Sequence, residues 1–555
     1  MAATDTPTTA QTTLITGATV VDGTGAPRRR ADVAVEGTRI AAVTAPGELR
    51  GTAADRTIDA DGLVLTPGFI DMHAHSDLQL LVTPDHVAKL SQGVTTELLG
   101  QDGLSYAPVD DASLAGIREK IAGWNDDPDG FDWSWRSVRE YLDRLDRVQP
   151  DGGRIATNAA YLVPQGTVRA LVTGFDEGSP TPEQVSRMQD VVRTGMLDGA
   201  LGLSSGLTYT PGMYADTAEL AALCRTVAEL GGFYAPHHRS YGKGALEAYA
   251  EMIGLSRDTG CALHLAHATM NFAENAGRAP DLLALIDGAL DAGADITLDS
   301  YPYLPGATTL SAVLPSWASA GGVDGTLARL AEPTARARIR EDLEVHGSDG
   351  CHGVTADWDT IEISGVRHPE LEGYVGRTVA AIAADEGREA FDVFADILTR
   401  DRCGTGILQH VGHEENVRAI MVHRAHTGGS DGILVGVKPH PRAWGTFPRY
   451  LGHYSRELQL MSLEETVHRL TGRPAARLRL DRRGLVRAGW AADLVLLDPD
   501  TVADRATFDD PRRPAAGIHH VLVNGVAAVD DGRPTGARAG RALRRTPRGT
   551  ASPDD

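Results

Sequence analysis

The chain has 555 residues, 42% of them hydrophobic, and a formal charge of −22. Such a length exceeds one ordinary domain and can bury a large core, so disulfides are not required for stability. The acidity works against nucleic acid and anionic membrane partners, both of which would repel it.

In chain order, residues 1–13 read as a loose Thr/Ala-rich tail. They lack the basic and apolar segments of a secretory signal. Residues 15–22 and 31–43 alternate as short strands broken by Gly-rich turns, and residues 491–497, 520–523 and 526–529 do the same near the other end. One small β domain built from both termini is therefore expected, as segments 14–65 and 481–545, with a second tail at 546–555. Between them, strand-like runs at 69–73, 94–99, 155–162, 200–204, 233–237, 262–267, 296–301 and 428–431 alternate with helical periodicity, for example at 182–197, 217–230, 244–257 and 281–291. This repetition predicts a mostly parallel α/β unit over 66–480, closed as a barrel or open. No GxGxxG follows a strand, which argues against an open dinucleotide-binding sheet. A charged, irregular stretch at about 305–403, with helices expected at 329–344 and 378–384, reads as an elaboration over the barrel mouth. Cys224, Cys261, Cys351 and Cys403 show no metal or disulfide spacing and are expected as free thiols. No run approaches the roughly 18 apolar residues of a membrane span. A cytoplasmic location is expected.

The chemistry concentrates at the expected strand ends. In GFIDMHAHSD, His73 and His75 stand two apart and share a strand face, so both imidazoles can aim at one point. His237 and His267 close later strand-like runs one βα unit apart, with His238 and His264 as adjacent alternatives. Asp431, in GGSDG on the last strand, is placed to accept a proton from an activated water and return it to a leaving nitrogen.

These residues, together with SSGLTYTPGMYADT (204–217), DSYPY (299–303) and HPRAWGTFPRYLGHY (440–454), resemble the amidohydrolase superfamily and, within it, the N-acyl-D-amino-acid deacylases. The resemblance runs from about Leu14 to Arg545. It implies a (β/α)8 TIM-like barrel with a small β-sandwich domain from both chain termini, and metal-dependent hydrolysis of N-acyl-D-amino acids. Zn2+ is implied, as one or two ions, another divalent metal being an alternative. Carried over by position, His73, His75, His237 and His267 are metal ligands, Asp431 the catalytic base, Arg442 the anchor of a substrate carboxylate, and Tyr209 and Tyr301 substrate contacts.

Two positions depart from the family pattern. Asp102, in GQDG, stands where relatives carry a cysteine ligand, so an oxygen donor able to bridge two metals is expected there. Thr269 stands where relatives acting on acidic substrates place a lysine. A cyclic amidase of the hydantoinase or dihydroorotase kind is the alternative reading, and a catalytically dead barrel used as a binding protein the second. The expected partner is a small-molecule substrate, with neither nucleic acid nor membrane, in a monomer or small homo-oligomer.

Overall fold

A computed structural model describes residues 11–148, 152–546 and 550–552. Eight short strands form the centre: β1 (Phe69–Asp71), β2 (Val94–Leu99), β3 (Asn158–Pro164), β4 (Gly202–Gly206), β5 (Phe233–His237), β6 (Ala262–Leu265), β7 (Ile296–Ser300) and β8 (His426–Gly428). They lie in chain order and every neighbouring pair is parallel. The ring closes between its first and last members. Met72 N donates to Gly428 O at 3.2 Å, Asp431 N donates to His73 O at 2.8 Å, and Ala74 bridges Gly432. The sheet is thus a (β/α)8 barrel rather than an open sheet.

The helices between the strands begin where local chemistry allows. Pro182–Leu197 starts after Thr181, whose side chain accepts from Gln184 N while Gln184 reaches back, and Pro182 occupies the first turn. Its buried Met188, Val192 and Met196 recur every four residues and face the barrel. The insertion differs more from expectation. The long helix expected at 329–344 is broken into Gly322–Ala331 and Pro333–Glu341, because Pro333 cannot continue the preceding helix.

Strands from both chain ends make one nine-stranded sheet, the expected terminal β layer. The join is Val64–Pro67, which pairs with Thr12–Val20 on one side and antiparallel with Leu494–Leu497 on the other. Period-two alternation gives this layer two faces. Leu494 and Leu496 pack with Ile15, Val33 and Ile40, whereas Val495 and Leu497 pack with Phe69, Phe447 and Tyr450 of the barrel. Each such fully buried side chain contributes about 1.5–3 kcal/mol, so the layer is held to the barrel as well as to itself.

The insertion has its own core, including Leu310, Phe391, Phe394 and Ile397, under a three-stranded sheet of Gly306–Thr309, Gly406–Gln409 and Ile361–Gly365. It therefore runs past the expected end near 403, because Gly406–Gln409 is the central strand and pairs with both others. The C-terminal tail expected from 546 is also corrected. Ala551–Ser552 pairs with Arg544–Arg545, and Ala551 is buried beside Leu543. At the other end the strand Thr12–Val20 already includes Thr12 and Thr13, while the rest of that expected tail, 1–10, lies outside the described residues, as do 553–555. All four cysteines are buried free thiols. Among the described residues no helix is long and apolar enough to cross a membrane.

Candidate metal centre

The barrel gathers the expected donors at the C-terminal ends of its strands, where such folds carry their sites. Just beyond β1, both rings of the HxH pair point inward. His73 Nε2 lies 3.4 Å from Asp102 Oδ1, and His75 Nε2 lies 3.5 Å from Asp102 Oδ2. From β5 and the turn after β6, His237 Nδ1 lies 3.4 Å from Asp102 Oδ2 and His267 Nε2 3.3 Å from Asp102 Oδ1. Asp431, after β8, brings Oδ1 to 3.1 Å from His75 Nε2. Two donor groups result, His73, His75, Asp102 and Asp431, and Asp102, His237 and His267, all buried and sharing Asp102.

This donor set fits a metal. His73 is fully buried, yet neither of its ring nitrogens has a hydrogen-bond partner, and Asp102 Oδ1 has none either. Buried polar atoms left in this way are costly unless something else satisfies them. Imidazole nitrogens and a carboxylate together suit Zn2+ or a similar divalent ion.

The electrostatics agree. Burial opposes charge on His73, but the Asp102 and Asp299 carboxylates outweigh it and raise its pKa well above the usual histidine range. His75 is likewise raised against burial, by Asp102 and Asp431. Burial would raise the Asp431 carboxyl, but the Arg442 guanidinium, His75 and His73 hold it well below the usual range. The side of the cluster built by His73, His75 and Asp431 thus favours positive charge, whereas burial lowers His237.

A second layer sets the imidazoles. Thr208 Oγ1 lies 2.6 Å from His237 Nε2 and Tyr241 Oη 2.9 Å from His267 Nδ1, each leaving the opposite ring nitrogen facing Asp102. Asp299 accepts from His267 N at 3.0 Å and meets His264 Nε2 at 2.9 Å. Tyr241 was not expected from sequence, and Thr208 and Asp299 were noted only within motifs. Of the alternatives, His264 belongs to this second layer. His238 lies instead between Tyr241 and Tyr249.

The remaining expected residues also converge. Arg442 is fully buried on Asp431, with Nη2 to Oδ2 at 2.9 Å, and its guanidinium lies 4.4 Å from the Tyr301 ring centre. Its Nε and Nη1 have no hydrogen-bond partner. Tyr209 packs on His237 and Trp124, and its hydroxyl meets Thr308 Oγ1 at 3.0 Å. Asp102, His237, Asp431, Tyr209 and Tyr301 line one cavity of about 70 Å³, with Thr269 on its wall and His352 reaching in from the insertion. His73, His267 and Asp431, each expected within a strand, all lie past the strand ends. His267 and Asp431 do so with φ of 30° and 48°, because the chain turns sharply to aim them inward.

Residues 56–529 match the amidohydrolase family. The chain belongs to that family. This amidohydrolase is 36% identical to a D-aminoacylase of Alcaligenes xylosoxydans xylosoxydans over 533 residues, covering 96% of this chain and 97% of the relative. An N-acyl-D-glutamate deacylase of the same organism is also 36% identical, covering 96% of each chain. Among solved structures, the amidohydrolase resembles the N-acyl-D-glutamate deacylase of Bordetella bronchiseptica, complexed with zinc and a phosphonate mimic of the tetrahedral intermediate. The TM-score is 0.80 at 34% identity, covering 97% of this chain and 100% of that one.

Proposed function

We propose that this amidohydrolase hydrolyses the amide bond of N-acyl-D-amino acids with Zn2+ as its metal. The observation that carries the reading is the convergence of His73, His75, Asp102, His237, His267 and Asp431 on one buried point, beside an arginine with free donors. Full-length similarity to a D-aminoacylase and to an N-acyl-D-glutamate deacylase supports the substrate class.

Asp102, His237 and His267 would hold one metal position, and His73, His75 and Asp102 the other. A divalent ion there supplies polarisation of the acyl carbonyl and a lower pKa for water. Asp431 takes the proton from the attacking water at its carboxylate and delivers it to the leaving nitrogen. Its carboxyl is held below the usual range, so it starts the cycle ionised. Arg442, whose planar guanidinium keeps Nε and Nη1 without a partner, is the cation we assign to the α-carboxylate of the substrate. Trp124 and Tyr209 close over His75 and His237 and limit water. The cavity wall carries Thr269 rather than a cation, which favours an uncharged substrate side chain.

The test is a panel of N-acetyl-D- and L-amino acids, with hydantoins and dihydroorotate, run on enzyme of measured metal content. We expect turnover of D-substrates with neutral side chains and loss of that turnover on chelation. Faster turnover of the cyclic amides would replace this reading with the hydantoinase alternative, and no turnover of any amide would favour a binding protein.

A further inference from the structure

Behind the metal centre lies a lysine that the proposed chemistry does not use. Lys89, in the short helix Val87–Leu90, is fully buried, as are Asp71, Glu97 and Ser430 around it. Its Nζ donates to Asp71 Oδ2 at 2.5 Å and to Ser430 Oγ at 2.8 Å, and lies 3.5 Å from Glu97 Oε2. Burial would lower the lysine pKa, but Asp71 and Glu97 raise it, so the ammonium stays charged.

The group faces both ends of the barrel seam. Asp71, at the end of β1, accepts from His73 N at 3.2 Å and from Ser430 N at 2.8 Å through the same oxygen. Its other oxygen accepts from Ser430 Oγ at 2.6 Å. Ser430 Oγ in turn accepts from Gly432 N at 3.1 Å. The residues before and after Asp431 are therefore both tied to this group, and so is the backbone of His73. Asp431 itself has φ of 48°, a left-handed conformation that a non-glycine residue keeps only when its neighbours impose it.

We propose that Lys89, Asp71 and Ser430 are positioning residues, an ionic clamp that joins the first and last strands and sets the Asp431 carboxylate against His75 and Arg442. Lys89 supplies the charge that holds the Asp71 carboxylate in place. Asp71 fixes the seam, and the Ser430 hydroxyl fixes the turn that aims Asp431. Their role rests on Asp431 acting as the base.

Ser430→Ala removes one hydroxyl with little change in packing. We expect kcat on an N-acyl-D-amino acid to fall roughly 10- to 100-fold, with KM and metal content unchanged. Lys89→Met should behave alike, and Ser430→Ala carries the test if that variant does not fold. In an Asp431→Ala background the same Ser430→Ala change should cost nothing further, because its effect passes through Asp431. Equal losses in both backgrounds, an unchanged kcat, or loss of metal in step with activity would overturn the clamp. A crystal structure of Ser430→Ala judges it without turnover. The Asp431 carboxylate should leave His75 and Arg442, and retained contacts would overturn the proposal. If the unaltered enzyme turned over no N-acyl amino acid, the proposed reaction would fail, while that crystal structure would still decide the clamp.

Discussion

At Asp102 a single carboxylate serves four imidazoles, each oxygen facing one histidine from β1 and one from the β5–β6 side. Burial would raise its pKa, but His73, His267 and His237 hold it well below the usual carboxylate range. Removing it takes away the donor common to both groups and leaves the histidines without their counter-charge. Asp102→Ala is therefore expected to purify with at least one ion fewer per chain and little activity. Asp102→Cys should keep one ion tightly, a thiolate being a strong zinc ligand. Metal analysis of the two variants checks this, and full metal with near-normal turnover in Asp102→Ala would reduce Asp102 to a turn residue. The four histidines and Asp431 were legible in sequence because HxH spacing and strand-end position are informative, whereas Asp102 was legible only through the family resemblance. Thr208, Tyr241 and Lys89 were not, because hydroxyls and a lone lysine have no diagnostic spacing and act only once distant βα units meet.

The turn that carries Asp102 shows how tightly elements must fit for such a site. Asp102 and Gly103 both have positive φ, at 53° and 69°, and the turn rests directly on the end of β4. A Cβ at Gly206 would come within 2.1 Å of Asp102 O, and backbone cannot yield there as a flexible side chain could. Gly206→Ala should cost about 1–3 kcal/mol by overpacking and push the Asp102 carboxylate out of the cluster. Thermal unfolding and metal content should drop together, whereas a lower melting point with full metal would show that the turn tolerates the shift. Most strands and helices could be read in advance, since apolar runs and caps such as Thr181 are local signals. Apart from the helix break at Pro333, which that residue itself announces, expectation and structure part at backbone events with little sequence signature: the left-handed turns at His267 and Asp431, and the pairing of Gly406–Gln409 with two strands far away in the chain.

On the scale of the molecule, the insertion enters and leaves by neighbouring strands, Thr309 pairing with Gly406. Its core is separate from the barrel core, and no member of the two donor groups comes from it. Replacing residues 310–405 with a short turn should leave a folded, metal-loaded barrel. Val313 and His352 line the cavity from this unit, so the variant should discriminate less between substrate side chains. Metal content and kcat/KM ratios across the D-substrate panel measure this, and an aggregated, metal-free product would mean that the barrel depends on its cover. The terminal layer is bound to the whole in a different way. Val64–Pro67 pairs with Leu494–Leu497, and Arg28 meets Glu464 across 436 residues of chain. During synthesis at typical ribosomal rates, roughly half a minute separates the emergence of these partners. Through that interval the first strands of the protein must wait with an open edge, and a ribosome that stalls before residue 494 leaves a fragment whose unfinished sheet is free to pair with another chain.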